Sequence, residues 1–311
     1  MRVVFFGTPD FAVESLDAIM NSTHEVCAVV TVPDRQAGRG QKVVYSAVKD
    51  YALAHQLPLL QPERLRDEQF LEELASFQAD CFVVVAFRML PEAVWAMPKH
   101  GTFNLHASLL PKFRGAAPIN WAIIRGEKES GVTTFLLNHH IDEGSILLQA
   151  RTPITDDDTA GSLHDRLAAM GRELVVKTLD GLAANTITPS PQQGEPTSAP
   201  KIFKNDCTID FNQPCTKVAQ FIRGLAPYPA AIMYLTSPKG EEVPFKVFDI
   251  HAVEDACATP NSLICDGKKV LKIGTTNGFV EIYSLQMAGK NKNSIEDFLR
   301  GNSLLGWKLK H

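Results

Sequence analysis

The chain has 311 residues, 45% hydrophobic and 21% charged, which supplies a sizeable core and predicts two domains. A formal net charge of −4 argues against a protein that coats nucleic acid through general positive charge. The six cysteines are scattered without a Cys-x-x-Cys pair, which argues for reduced thiols in a cytoplasmic protein and against a disulfide frame or zinc knuckle. No apolar run approaches the length of a membrane helix, and Met-Arg-Val-Val-Phe-Phe is expected to enter a strand directly, without a signal peptide.

Residues 2–6 form an apolar run ending at Gly7-Thr8-Pro9-Asp10, the pattern of a buried parallel strand followed by a helix to about Met20, with Asp10 or Thr8 as its cap. A second strand is predicted over Glu25–Val32, a helix over Asp67–Phe77 and a β-branched strand over Cys81–Ala86. Strands alternating with helices predict an α/β, Rossmann-like domain with a mostly parallel sheet. The first turn lacks the second and third glycines of a dinucleotide fingerprint, so NAD is disfavoured and Gly7 reads as a tight turn. Between Pro33 and Val44 lies a loop made mobile by Gly38 and Gly40 and positive by Arg35, Arg39 and Lys42. Such a loop suits a large polyanionic substrate; the plainer reading is a solvated surface loop.

Phe103 and Leu105 alternate with Asn104 and His106, so an amide donor and an imidazole share one face at the end of a strand. Gly131–Asn138 is predicted as the next strand and runs out at His139-His140-Ile141-Asp142-Glu143-Gly144, placing Asp142 at a second strand end. No Gly-x-Ser-x-Gly elbow supplies a nucleophile, which suits direct transfer between two bound substrates. On this reading Asn104 and His106 hold an oxyanion while Asp142 orients His106 or a water. A metal site from His106, His139, His140 and Asp142 is a rival, although adjacent His139 and His140 would point opposite ways on a strand.

Further strands and a helix follow: Ile146–Ile154, then a helix capped by Thr159 and running to about Ala183. Residues 185–205 are rich in proline and polar residues and read as a stiff, extended linker. Beyond it one helix (Lys217–Leu225) and about five short strands with hairpin-type turns predict a small antiparallel, OB-like β-barrel. The expected division is therefore a catalytic domain over 1–184, a linker over 185–205 and a barrel over 206–311. Up to Asn205 there are 19 Lys/Arg against 24 Asp/Glu, and after it 12 against 11, so the barrel is near neutral beside an acidic partner.

Asn104-Leu-His106-Ala-Ser108-Leu-Leu-Pro111, Arg114-Gly-Ala-Ala-Pro118 and Asp142-Glu-Gly144 resemble the signature of the folate-dependent formyltransferases. Phe6-Gly-Thr-Pro-Asp-Phe11, Pro33-Asp-Arg-x-Ala-Gly-Arg-Gly40 and Ala199-Pro-Lys201-Ile extend the similarity over nearly the whole chain, toward the family's tRNA-modifying branch. The resemblance implies that the formyl group of 10-formyltetrahydrofolate passes to the α-amine of methionine on initiator tRNA. It implies catalysis by Asn104, His106 and Asp142 with no metal, and a folate cosubstrate against Phe87, Arg88, Met89, Leu90 and Ile141, with Ser108, Leu109, Leu110 and Pro111 in the same site. Arg35, Gly38, Arg39, Gly40 and Lys42 would meet the tRNA acceptor arm, the barrel would touch the tRNA backbone, and the chain would act as a monomer with no membrane partner. One stretch departs from the family pattern: Phe87-Arg88-Met89-Leu90-Pro91 stands where Tyr-Gly-x-Ile-Leu-Pro is usual, with Arg88 in place of glycine. A formyltransferase acting on a sugar-nucleotide amine is the alternative within the family. A non-catalytic RNA-binding protein on the same fold is the alternative outside it.

Overall fold

The structure, a computed structural model, describes residues 1–37 and 42–310. It falls into two compact units, one of Met1–Pro118, Glu129–Pro153 and His164–Pro200, the other of Ile119–Lys128, Ile154–Leu163 and Lys201–His311. In chain order the elements up to residue 200 are β1 (Arg2–Gly7), α1 (Asp10–Met20), β2 (Glu25–Val30), β3 (Arg35–Ala37), β4 (Lys42–Val44), α2 (Ala47–Ala54), β5 (Leu59–Leu60), α3 (Glu68–Ser76), β6 (Cys81–Val85) and α4 (Glu92–Trp95), then β7 (Thr102–His106), β8 (Arg114–Gly115), α5 (Pro118–Ile124), β9 (Glu129–Leu136), β10 (Ile146–Pro153), α6 (Ala160–Ala183) and β11 (Ser198–Ala199).

Seven of these strands form one sheet in the order β10-β9-β7-β6-β1-β2-β5. The pairs from β7 through β5 are parallel, whereas β9 runs antiparallel to both β7 and β10. The central strands are apolar on both faces because helices cover both, and Val3–Phe6 and Cys81–Val85 are buried throughout. Gly7 makes the tight turn read from the sequence: a Cβ there would lie 2.7 Å from the Phe5 ring and 2.8 Å from Ala12. The helix after it begins at Asp10 with Pro9 as N-cap, so neither Asp10 nor Thr8 caps it as expected. Asp67 does cap α3, accepting from the backbone N–H of Phe70 at 3.1 Å.

The second unit adds α7 (Cys215–Leu225), β12 (Ala231–Thr236), β13 (Glu242–Val247), β14 (Ile250–Glu254), β15 (Leu263–Cys265), β16 (Leu271–Gly274), β17 (Gly278–Ile282), β18 (Ser284–Met287), β19 (Asn293–Ser294), α8 (Ile295–Gly301) and β20 (Lys308–Leu309). Its strands make two antiparallel sheets, β19-β18-β13-β12-β20 and β14-β17-β16-β15, around one core that includes Met233, Phe245, Ile273 and Ile282. The chain changes sheet twice, between β13 and β14 and between β17 and β18, where the single long strands expected over Phe245–Ala252 and Val280–Leu285 are broken. The two breaks meet: the Tyr283 N–H donates to the Asp249 carbonyl at 2.8 Å, and the Ser284 hydroxyl bonds the Asp249 carboxylate. The helix α8 was not foreseen; Ser294 caps it and Phe298 inserts edge-on against Phe245.

Candidate active site

Two residues apart on β7, Asn104 and His106 fall on the same face. The antiparallel course of β9 sets how Asp142 reaches them. Phe103 pairs with Leu136 and His106 with Thr133, so β9 ends beside the start of β7 rather than at its carboxyl end. Residues 137–145 therefore double back along the sheet to bring Asp142 to His106. The strand that leads to Asp142 therefore ends at the opposite rim from His106. Gly144 permits the return, because a Cβ there would overlap the Leu136 carbonyl at 1.6 Å.

His106 is 6% exposed and its two ring nitrogens have different neighbours. Nε2 lies 2.8 Å from the carbonyl of Phe113, which can only accept, so Nε2 carries a proton. Nδ1 lies 3.8 Å from Oδ2 of Asp142, an electrostatic distance rather than a hydrogen bond. Neutral His106 thus presents an unprotonated Nδ1 beside a carboxylate. Oδ2 of Asp142 is itself held by the backbone N–H of Gly115 at 2.8 Å. The Asn104 side chain is half-buried and makes no hydrogen bond among the described residues, leaving its amide available to a ligand. An amide, an imidazole nitrogen and a carboxylate gathered in this way can stabilise and shuttle charge without a covalent step.

The segment 87–91 lies near the loop that carries Asp142. His139 sits edge-on to Trp95 at 5.3 Å and 3.7 Å from Glu92, and Leu137 packs on the core that holds Leu90, with Phe87 and Trp95. Phe87 rests against Phe6, and Leu90 is buried. Met89 and Ile141, by contrast, are 74% and 63% exposed, large apolar side chains with water on them. Arg88 is not directed at such a shelf: its guanidinium donates to the carbonyls of Pro62 and Glu63, and burial lowers its pKa. Ser108, Leu110 and Pro111 are buried, with Ser108 donating to the Lys112 carbonyl at 2.6 Å. Leu109, Leu110 and Pro111 line a cavity of about 200 Å³ with Gln149, Arg151 and Gln193.

Within the basic loop, Gly38, Arg39 and Gly40 lie outside the described residues. The loop is not without structure, as expected from its glycines, because β3 and β4 pair antiparallel across it and carry Arg35 and Lys42. Its root is fixed by a buried cation that composition did not disclose. Lys49 Nζ donates to both oxygens of Asp34 at 2.8 and 2.6 Å and to Gln61 at 2.9 Å, and this holds the Asp34 carboxyl below its usual range.

The proline-rich stretch after α6 is extended, but part of it lies on the first unit. Ser190 exchanges backbone hydrogen bonds with Ile146, and Ser198–Ala199 pair in parallel with Arg114–Gly115. Between these anchors the Gln192 amide donates to the carbonyls of Asp142 and Gly144, at 2.8 and 3.0 Å, and accepts from Arg114. Thr197 Oγ1 accepts from the Phe113 N–H at 2.9 Å. Gln192 and Thr197 escaped the sequence reading; Pro189, Pro191, Pro196 and Pro200 signalled an extended chain but not where it docks.

Residues 1–179 match the family model described as formyl transferase, and residues 201–303 the one described as formyl transferase, C-terminal domain. The methionyl-tRNA formyltransferase of Bacteroides fragilis is 50% identical over 307 residues, covering 97% of this chain and 95% of that one. Among solved structures, HypX from Aquifex aeolicus, in complex with tetrahydrofolic acid, superposes with a TM-score of 0.65 at 19% identity. It covers 98% of this chain, which spans about half (48%) of HypX. An N-formyltransferase from Helicobacter canadensis, in complex with folinic acid and dTDP-3-aminofucose, gives 0.62 at 22% identity, covering 94% and 99% of the two chains. Those two likenesses bear on the fold; the Bacteroides identity and the matched models reach the sequence itself, and on them the chain belongs to the formyl transferase family.

Proposed function

We propose that this chain transfers the formyl group of 10-formyltetrahydrofolate to the α-amine of methionine carried by initiator tRNA. The observation that carries the proposal is the 50% identity to a methionyl-tRNA formyltransferase through almost the full length, second unit included. The sugar N-formyltransferases share the fold at far lower identity. The exposed side chains of Met89 and Ile141 fit a flat cosubstrate that would cover them, close in sequence to Leu90 and Asp142. Arg35 and the basic residues that follow it would face a polyanion, as would the lysines of the second unit. The chain is proposed to act as a monomer. Among the described residues no helix is long and apolar enough to cross a membrane.

Each group then has a definite task. As the amine attacks the formyl carbon, negative charge builds on the formyl oxygen, and the Asn104 amide with protonated Nδ1 of His106 donate to that oxygen. Asp142 stabilises the imidazolium and passes on the proton the amine loses, through a water or directly, to the departing folate nitrogen. Nε2 stays bonded to the Phe113 carbonyl throughout, so the ring cannot turn. Formyl transfer from 10-formyltetrahydrofolate to charged initiator tRNA is the direct assay. Formylated tRNA is expected; formylation of a sugar-nucleotide amine with tRNA left unmodified would sink the proposal. His106→Ala should lower kcat about 10²- to 10³-fold with the fold intact, the usual cost of losing an oxyanion donor.

A further inference from the structure

We infer that Gln192 is a positioning residue of the transfer reaction, holding Asp142 in place from a segment that otherwise reads as a linker. The inference rests on the reading that Asp142 serves His106. Asp142 has a φ of 55°, in the left-handed region that a side-chain-bearing residue rarely holds without outside support. Its carboxylate is oriented by the Gly115 N–H, and Phe113, whose carbonyl fixes the His106 ring, is also left-handed, with φ 61°. Two unfavourable backbone positions thus define the geometry of the pair, and the 190–199 segment reaches both.

The amide of Gln192 uses its full bonding capacity there. Its two N–H groups go to the carbonyls on either side of Glu143, those of Asp142 and Gly144, and its oxygen accepts from Nε and Nη2 of Arg114 at 3.2 and 2.7 Å. Carbonyls on one side and a guanidinium on the other assign the amide nitrogen and oxygen without ambiguity. Arg114 completes the ring by pairing with Glu143 at 2.7 Å. One side chain therefore clamps the left-handed turn of Asp142 to the residue next to Gly115. Thr197 does the corresponding work for the second turn through the Phe113 N–H. The clamp is itself anchored at Ser190 and Ala199 by backbone hydrogen bonds, so it does not depend on long flexible side chains for its own position.

Loss of the two amide donors should let Asp142 drift, and a displacement of about 1 Å in a positioned group can cost roughly a hundred-fold in rate. Gln192→Ala and Gln192→Glu are to be measured as full-length proteins for kcat, for KM toward charged initiator tRNA and toward 10-formyltetrahydrofolate, and for Tm, alone and combined with Asp142→Asn. Gln192→Glu keeps the acceptor for Arg114 but cannot donate to carbonyls, so it isolates the donor function even where Gln192→Ala fails to fold. The inference expects both variants to lose about ten- to a hundred-fold in kcat with little change in either KM. It also expects no further loss from either variant once Asp142 is Asn. Normal kcat in Gln192→Glu, or a loss that multiplies undiminished in the Asp142→Asn background, would overturn it. If Asp142→Asn alone leaves kcat unchanged, the role given to Asp142 falls, and the positioning role with it; if only the Gln192 variants are silent, the role of Asp142 stands and the clamp alone is rejected.

Discussion

His24 shows how one side chain ties pH to stability here. It is buried between the N-terminal amine, 3.1 Å from Nδ1, and Asp180, 3.0 Å from Nε2. Burial first, and the ammonium second, hold its pKa below 6.5, although Asp180 pulls the other way. The unfolded chain therefore takes up the proton before the folded one does. Stability is complete above pH 6.5 and falls as pH drops through 6.5 toward the depressed value. Thermal unfolding across about pH 5–8 should show this acid slope, and His24→Gln should flatten it. At this scale Asn104 and His106 were legible from period-two alternation alone. Asp142 emerged through its glycine turn and family likeness. Gln192 did not, because an amide in a proline-rich stretch carries no sign of what it will bond.

Among the elements, the two-residue pair of β8 and β11 leaves no room for a side chain at Gly115. Gly115 has a φ of 123°, and a Cβ there would lie 2.6 Å from the Ala199 carbonyl. Gly115→Ala should cost about 1–3 kcal/mol, read as a lower midpoint in denaturant unfolding, and should depress kcat because the same residue's N–H holds Asp142. The β3–β4 hairpin invites a different test. Lys49→Met breaks the ion pair at its root while leaving Arg35 in place, and should weaken tRNA binding with formyl-donor KM unchanged; equal tRNA affinity would show that the hairpin needs no such anchor. Hydrophobic runs identified β1, β2, β6, β7 and β9 as strands, and their alternation with helices gave the parallel sheet. The direction of β9 was out of reach, since apolar patterning marks a strand without saying which way it runs. The whole path of the 137–145 loop follows from that direction.

For the molecule as a whole, the boundary predicted near residue 185 describes the change in composition, whereas the packing is interleaved. Ile124 packs on the second unit's core, Asn120 donates to the Gly224 carbonyl at 2.8 Å, and Arg223 donates to the Asp158 carbonyl at 2.9 Å. Gly161 and Gly224 are close-contact points in the same unit, against Pro227 and Ile124. A chain ending at residue 200 should therefore expose apolar surface of α5 and bind a hydrophobic dye, or aggregate, more than the full chain does. Equal solubility and dye binding would mean that 119–128 and 154–163 fold without the rest. Sequence pattern finds elements and composition finds linkers, but neither finds which distant stretch completes a core.

The interleaving also limits how such a protein can be recombined. A crossover at residue 200 between two family members would bring in one of the three stretches that build the second unit and leave the other two from the host. The new barrel would meet foreign partners at Asn120, Ile124 and Asp158. Exchange of substrate specificity by swapping tails is therefore constrained by two short inserts far upstream, and a successful graft must carry residues 119–128 and 154–163 along with the tail.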